Sequence, residues 1–360
     1  MLRDHLPLPT WIAPAAGCLL LAVSSFVSNP LFLAVLAVAL VACVLAAVHH
    51  AEVVAHRVGE PFGTLVLALA VTVIEASLIV SLMIAAGDQA AALARDTIFA
   101  AIMIILNGMV GLFLLMGSSR HGEQEFGHYG VKAALATLAT MAVVTLILPN
   151  ATTTETGPVY SVSQLVLIAT TLLVLYGSFV LIQTVRHRDY FLPVGAAAGD
   201  EDAHAAPPSN TTAMVGGALL VVCLIAVVLL AKALSPVIEA TVDAAGAPKA
   251  VVGIIIAAIV LLPESLAALK AARLNRLQTS MNLALGSALA TIGLTIPVVV
   301  MVALGSGMTL VLGLDNKGMV LLALTLLVAT LSLGTGRTTV LQGVVHLVIF
   351  AVYLFTTIVP

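Results

Sequence analysis

Long apolar runs separated by short polar stretches dominate the chain. Eleven of them are long enough to cross a bilayer as helices: 10–28, 31–48, 62–86, 97–117, 131–148, 162–185, 212–233, 250–270, 279–304, 318–333 and 340–358. About 20 apolar residues cover the hydrocarbon core of a membrane. The runs are continuous and do not alternate with polar residues, which excludes a β-barrel. The pattern therefore predicts an all-α integral membrane protein with about 11 transmembrane helices. No small-residue cleavage site follows the first run, which opens on Leu6-Pro7-Leu8-Pro9. That run reads as a retained helix and not a signal peptide.

Composition agrees with the pattern. Of the 360 residues, 61% are apolar and only 9% charged, and the mean hydropathy is +1.18. A soluble domain carries about 25% charged residues, so soluble, disordered and nucleic-acid-binding classes are excluded. The expected surroundings are a lipid bilayer, with no nucleic-acid partner. Cys18, Cys43 and Cys223 all lie in apolar runs and read as small packing residues.

The placement of charge supplies topology. If the chain alternates sides from a first compartment, that side collects Arg3, Arg57, Arg120, Lys132, Arg186, Arg188, Lys270, Arg273, Arg276 and Arg337. The other side collects Arg95, Lys232, Lys249 and Lys317. The excess of basic residues marks the cytoplasm. The N-terminus is thus expected inside and the C-terminus outside. A polar stretch, 186–211, with Gly199-Asp200-Glu201-Asp202 and Pro207-Pro208, reads as a flexible cytoplasmic linker.

The linker divides the chain. Residues 1–30 hold an extra N-terminal helix, 31–185 a first five-helix half and 212–360 a second. Halves with an odd helix count are inverted relative to each other, an architecture common among secondary transporters. The second span of each half carries a lone acid. It is Glu75 in TLVLALAVTVIEASLIVSLM and Glu264 in VVGIIIAAIVLLPESLAALK. A small hydroxyl residue soon follows each (Ser77, Ser265). The next span of each half has a small and polar patch: Asn107-Gly108 with Gly111, and Asn282, Gly286-Ser287, Thr291-Ile292-Gly293 and Pro297.

The acids carry the functional reading. A carboxylate at membrane depth costs about 2.5–3.5 kcal/mol or more, so an intramembrane acid marks function by default. Of 17 acidic residues, Glu75 and Glu264 alone fall well inside predicted spans. Two carboxylates neutralise one Ca²⁺, which takes six to eight oxygens. Left empty they repel each other, and burial favours their protonated forms. One pair can then hold a cation or protons, in competition. Pro263 is expected to disrupt the helix beside Glu264 and to free a carbonyl near Ile259. Thr72, Ser77, Asn107, Ser287 and Thr291 offer further oxygens.

These residues resemble a known family. AEVVAHRVGEPFGTLVLALAVTVIEASLIVSL (51–82) is similar to the first α-repeat of cation/proton exchangers in the calcium:cation antiporter superfamily. LLPESLAALKAARLNRLQTSMNLALGSALATIGLTIP (261–297) is similar to the second, and GRTTVLQGVVHLVIFAVYL (336–354) to the last span. The nearest likeness is to bacterial ChaA-type calcium/sodium:proton antiporters. The resemblance implies ten core helices in two inverted repeats plus an extra N-terminal helix, with α-repeats at 62–117 and 250–304. It puts the ion-binding glutamates on Glu75 and Glu264, and the polar position of the following helix on Asn107 and Ser287. Thr72-Val73-Ile74 departs from the family's Gly-Asn-Ala, and Ala290 stands where relatives often have Gln. With fewer amides near the site, a monovalent cation stays open beside Ca²⁺.

The implied activity is antiport in a bacterial inner membrane: cytoplasmic Ca²⁺, or Na⁺ and K⁺, against protons, with no cofactor. Three other features bear on it. His49, Glu52 and His56 share a helical face just before the first repeat and, with Glu60, read as an interfacial cytoplasmic segment that helps collect cations or gate them. His346, inside the last span, reads as a packed, hydrogen-bonded histidine. Asp200, Glu201, Asp202 and His204 read as a solvated linker. An intramembrane enzyme finds no HExxH or GxSxG motif, and a channel needs a ring of ligands that one acid per half does not make.

Overall fold

The computed structural model describes residues 6–24, 29–59, 62–87, 91–192 and 208–359. Eleven long helices run through them: α1 Leu8–Ser24, α2 Pro30–Val58, α3 Phe62–Ala86, α4 Leu93–His121, α5 His128–Leu146 and α6 Val162–Arg186, then α7 Asn210–Ala244, α8 Ala250–Arg273, α9 Leu277–Ser306, α10 Asn316–Leu333 and α11 Val340–Ile358. Nine are apolar and long enough to cross a membrane. The other two, α1 and the middle of α3 (Ala68–Ile84), are shorter apolar helices by the same measure. The protein is an all-α, multi-pass membrane protein with one extra helix ahead of two five-helix halves. Large apolar side chains such as Leu19, Val38, Leu167, Met214 and Leu341 point outward, as lipid contact requires.

Two helices outrun their apolar cores. The span expected at 31–48 continues as helix to Val58, so His49, His50, Glu52, His56 and Arg57 form the last turns of α2. The span expected at 212–233 continues to Ala244 and carries Glu239 and Asp243. Hydropathy ends a span where charge begins, but the backbone ladder continues wherever it meets good helix formers. Glu60 lies outside the described residues, as do 193–207 with Asp200, Glu201, Asp202 and His204.

The helices cluster into two compact units that cut across the halves. The first comprises Met1–Ala86 and Ala198–Gly246, hence α1, α2, α3 and α7. Gly216 of α7 lies so close to α2 that a Cβ there would sit 3.4 Å from Val53, and Arg57 Nε donates to Asn210 Oδ1 at 2.8 Å. Helix α1 meets α2 just as closely: a Cβ on Gly17 would fall 2.9 Å from Cys43 Sγ.

The second unit comprises Gly87–Ala197 and Ala247–Pro360. Helix α4 packs on α8, α10 and α11, and α9 packs on α5, α6 and α8. The start of α4 meets α8 backbone to backbone at Gly253, where a Cβ would fall 2.9 Å from the Asp96 carbonyl carbon. Arg95 closes the same end, pairing with Asp96 at 2.8 Å and donating to the Gly313 carbonyl at 3.1 Å. At the opposite end of the helices a two-stranded ribbon pairs β1 Gln124–Glu125 with β2 Arg337–Thr338. Gln124 Nε2 there donates to Asn275 Oδ1 at 2.6 Å, and Gln278 Oε1 accepts from the Gly127 amide at 2.7 Å.

The start of the expected flexible linker belongs to this unit. Arg188–Phe191 form a 3₁₀ turn. Phe191 is buried edge-on against Phe179, and its carbonyl accepts from Asn282 Nδ2 at 2.6 Å. An apolar anchor with a hydrogen-bonded backbone keeps these residues folded where polarity alone suggested a loop.

Candidate functional site

The first unit holds Glu75 near the middle of α3, 2% exposed. Thr72 lies one turn earlier on the same face, 4% exposed, as an i, i+3 spacing dictates. Its hydroxyl donates to the Ala68 carbonyl at 2.8 Å. Ser77 is half-buried. Glu52 and His56 are both exposed at the end of α2, whereas His50 is fully buried and reaches α1. Among the described residues no group of three His, Cys, Asp or Glu could hold a metal ion.

The second unit holds Glu264 near the middle of α8, half-buried. The expected break at Pro263 is absent: α8 runs unbroken from Ala250 to Arg273. Proline removes only its own N–H, so the Ile259 carbonyl lacks its helical donor while the helix axis persists. Ser265, next to Glu264, returns its hydroxyl to the Leu261 carbonyl at 2.6 Å.

The helices following the two glutamate helices share a departure from α geometry. In α4 the ladder widens to a π turn at Ile104–Met109. In α9 it widens at Thr291–Thr295. Asn107 and Thr291 lie the same number of residues into their helices, and both are buried, at 0% and 2%. In α9 the cause is local, since Pro297 just downstream has no N–H for the Gly293 carbonyl four residues back. π turns recur at functional sites because they re-aim side chains and loosen backbone carbonyls. Helix α8, which carries Glu264, packs against both α9 and the π turn of α4. Ser287 lies one turn before Thr291 and is half-buried.

Asn107 sits within a buried polar chain that sequence reasoning did not assemble. Its Nδ2 donates to Thr325 Oγ1 at 2.9 Å, and its Oδ1 lies 3.2 Å from His346 Nδ1. His346 Nε2 lies 2.8 Å from Ser332 Oγ, which in turn lies 2.7 Å from the Val328 carbonyl. His346 is the packed, hydrogen-bonded histidine that its position suggested. The signal for its partners was a seven-residue spacing: Thr325 and Ser332 fall on one face of α10.

Eleven helices, one ahead of two five-helix halves, with Glu75 and Glu264 each near the middle of the second helix of its half, form an architecture of the secondary-transporter type. The comparisons are specific. The chain belongs to the family described as sodium/calcium exchanger protein, whose pattern matches residues 28–185 and 215–359. It is 48% identical over 360 residues to y4hA of Sinorhizobium fredii, which carries the provisional name of ionic transporter, covering 99% of this chain and 97% of that one. It is 39% identical over 310 residues to the sodium-potassium/proton antiporter ChaA of Escherichia coli, covering 86% and 84%. The structure of native YfkE superposes with a TM-score of 0.74 at 19% identity over 98% of this chain and 100% of that one. Its selenium-substituted form, named a Ca²⁺/H⁺ antiporter protein, gives 0.72 at 17% over 98% and 99%. The chain is an ion antiporter of the cation/proton exchanger type.

Proposed function

We propose that the protein carries a cytoplasmic cation outward in exchange for protons by alternating access, with Glu75 and Glu264 binding the cation or the protons in turn. One observation carries this reading: a single carboxylate stands at mid-span in the corresponding helix of each half. An empty, ionised pair would be too costly at membrane depth. The site therefore crosses only when loaded with cation or neutralised by protons, and that restriction is what couples the two fluxes.

Thr72, Ser77, Asn107, Ser287 and Thr291 complete the oxygen shell. Glu52 and His56, with Glu60, collect cations at the cytoplasmic mouth. The protein sits in a bacterial inner membrane with its N-terminus in the cytoplasm and its C-terminus outside. Two carboxylates suit Ca²⁺, the ion in the name of the YfkE antiporter. Exchange of Na⁺ and K⁺ is the second reading, favoured by the 39% identity to a sodium-potassium/proton antiporter and by the scarcity of amides around Glu75.

Everted vesicles or proteoliposomes test this directly. Addition of Ca²⁺, Na⁺ or K⁺ should collapse an imposed ΔpH. Glu75→Gln and Glu264→Gln should each reduce that response to background. Normal dissipation by either variant refutes the mechanism.

A further inference from the structure

One end of the second unit carries a row of rings and cations that the glutamate mechanism leaves unused. Helix α5 opens on His128 and Tyr129. Helix α6 closes on Arg186, and His187, Arg188 and Tyr190 follow it. The four rings stand in line. His128 and Tyr129 lie 4.1 Å apart between centroids, Tyr129 and Tyr190 5.4 Å, and Tyr190 and His187 4.9 Å with planes 7° from parallel. Tyr129 is 63% exposed and Tyr190 43%.

The row is fixed from behind and charged in front. The turn bearing Tyr190 presses on α5 where a glycine admits it: a Cβ on Gly130 would fall 2.6 Å from the Tyr190 carbonyl oxygen. Buried Phe191 anchors the same turn. Lys132 is exposed and shares the face of Tyr129, three residues before it. Arg186 and Arg188, on either side of His187, are exposed too. Among the described residues, ion pairs join Arg95 to Asp96 and Arg337 to Glu125 and Glu123, and none takes up Lys132, Arg186 or Arg188. Asp189 is the one carboxylate within 186–190, so the cluster keeps a positive charge.

We propose that this cluster is a binding site for an anionic phospholipid, with Lys132, Arg186 and Arg188 on the headgroup phosphate and the Tyr129–Tyr190 row at the glycerol level. Two spans end here, and the end of a span is the membrane–water interface, where Tyr rings settle. Basic side chains at that level attract anionic headgroups, and guanidinium pairs bidentately with phosphate. The residues just inside the membrane complete the match. Leu181 and Val185, in the last turns of α6, are 55% and 67% exposed and share a face by their spacing of four. The order from apolar to aromatic to cationic along the end of α6 is that of a phospholipid from acyl chain to headgroup. A soluble anion has no use for the apolar part.

The test uses the full chain in detergent. Native mass spectrometry measures retention of phosphatidylglycerol and of phosphatidylcholine with identical acyl chains. The native protein is expected to hold phosphatidylglycerol at least about fivefold more tightly. Lys132→Gln, Arg186→Gln and Arg188→Gln together should weaken that binding about tenfold or more, and Lys132→Gln alone about fivefold. A matched control with Arg120→Gln, Lys270→Gln and Arg337→Gln, basic residues at the same end outside the row, should change it less than twofold. Equal retention of the two lipids overturns the proposal, as does an equal loss in the control, which would mean diffuse attraction by basic residues. Displacement of the lipid by millimolar inorganic phosphate overturns it in favour of a soluble anion. A dimer that the three substitutions dissociate, with no lipid retained, overturns it in favour of a second copy of the chain.

Discussion

His50 Nε2 donates to the backbone carbonyl of Thr10 across 3.0 Å, and Thr10 is the residue whose helical donor Pro14 removes. One helix thus supplies the hydrogen bond that a proline in its neighbour took away. Hydrogen bonds between membrane helices contribute about 0.6 kcal/mol and at most about 1.7 kcal/mol. His50→Phe should therefore lower the detergent melting temperature by a few degrees. Adding Pro14→Ala returns a backbone N–H to Thr10 and should recover most of the loss. Additive destabilisation in the double variant would show that the two residues are not coupled.

Glycines at helix crossings should divide sharply by space. A Cβ on Gly343 would fall 2.6 Å from the Leu115 amide nitrogen and 2.9 Å from the Gly111 oxygen, both backbone atoms that cannot step aside. Gly343→Ala should therefore separate α4 from α11 and sharply reduce the yield of monodisperse protein. Gly177 has nothing within 4 Å of a Cβ, so Gly177→Ala should assemble normally. Size-exclusion profiles of the two variants decide the matter.

Asn275 turns the chain between α8 and α9 at φ +60°, the positive-φ conformation among the described residues that is not held by glycine. Its side chain also accepts from Gln124. Asn275→Gly and Asn275→Ala both lose that hydrogen bond, but only alanine adds a left-handed penalty of about 1–2 kcal/mol. The alanine variant should melt below the glycine variant. Equal melting temperatures would mean that the turn relaxes.

The proposed proton competition at the two glutamates has a sign and a slope. Lower pH fills both carboxylates with protons, so the apparent KM for cation should rise as pH falls, since binding requires the deprotonated ligands. Displacing two protons by one Ca²⁺ makes KM change about a hundredfold per pH unit below both pKa values, whereas one proton against one Na⁺ or K⁺ makes it about tenfold. Uptake measured across two pH units distinguishes the divalent from the monovalent reading. A KM independent of pH would exclude shared sites.

Membrane insertion, helix number, the inverted halves and the two acids are all legible in the sequence, because a bilayer penalises charge and exposed backbone residue by residue. Those penalties depend on local composition alone, so a run of apolar residues and a lone glutamate declare themselves without any knowledge of contacts. What the tertiary structure decided is how polar groups inside the membrane are shared. Pro263 looked like a break and is not one, because a helix tolerates a single missing donor. His49, Glu52 and His56 lie on a helix as their spacing suggested, but that His50 between them is buried and serves Thr10 was set by the packing of α1 on α2. Asn107, read from the sequence as an oxygen donor, is hydrogen-bonded to Thr325 and His346, residues 218 and 239 positions away. Hydrogen-bond partners that distant are set by which helices meet, and hydropathy carries no record of that.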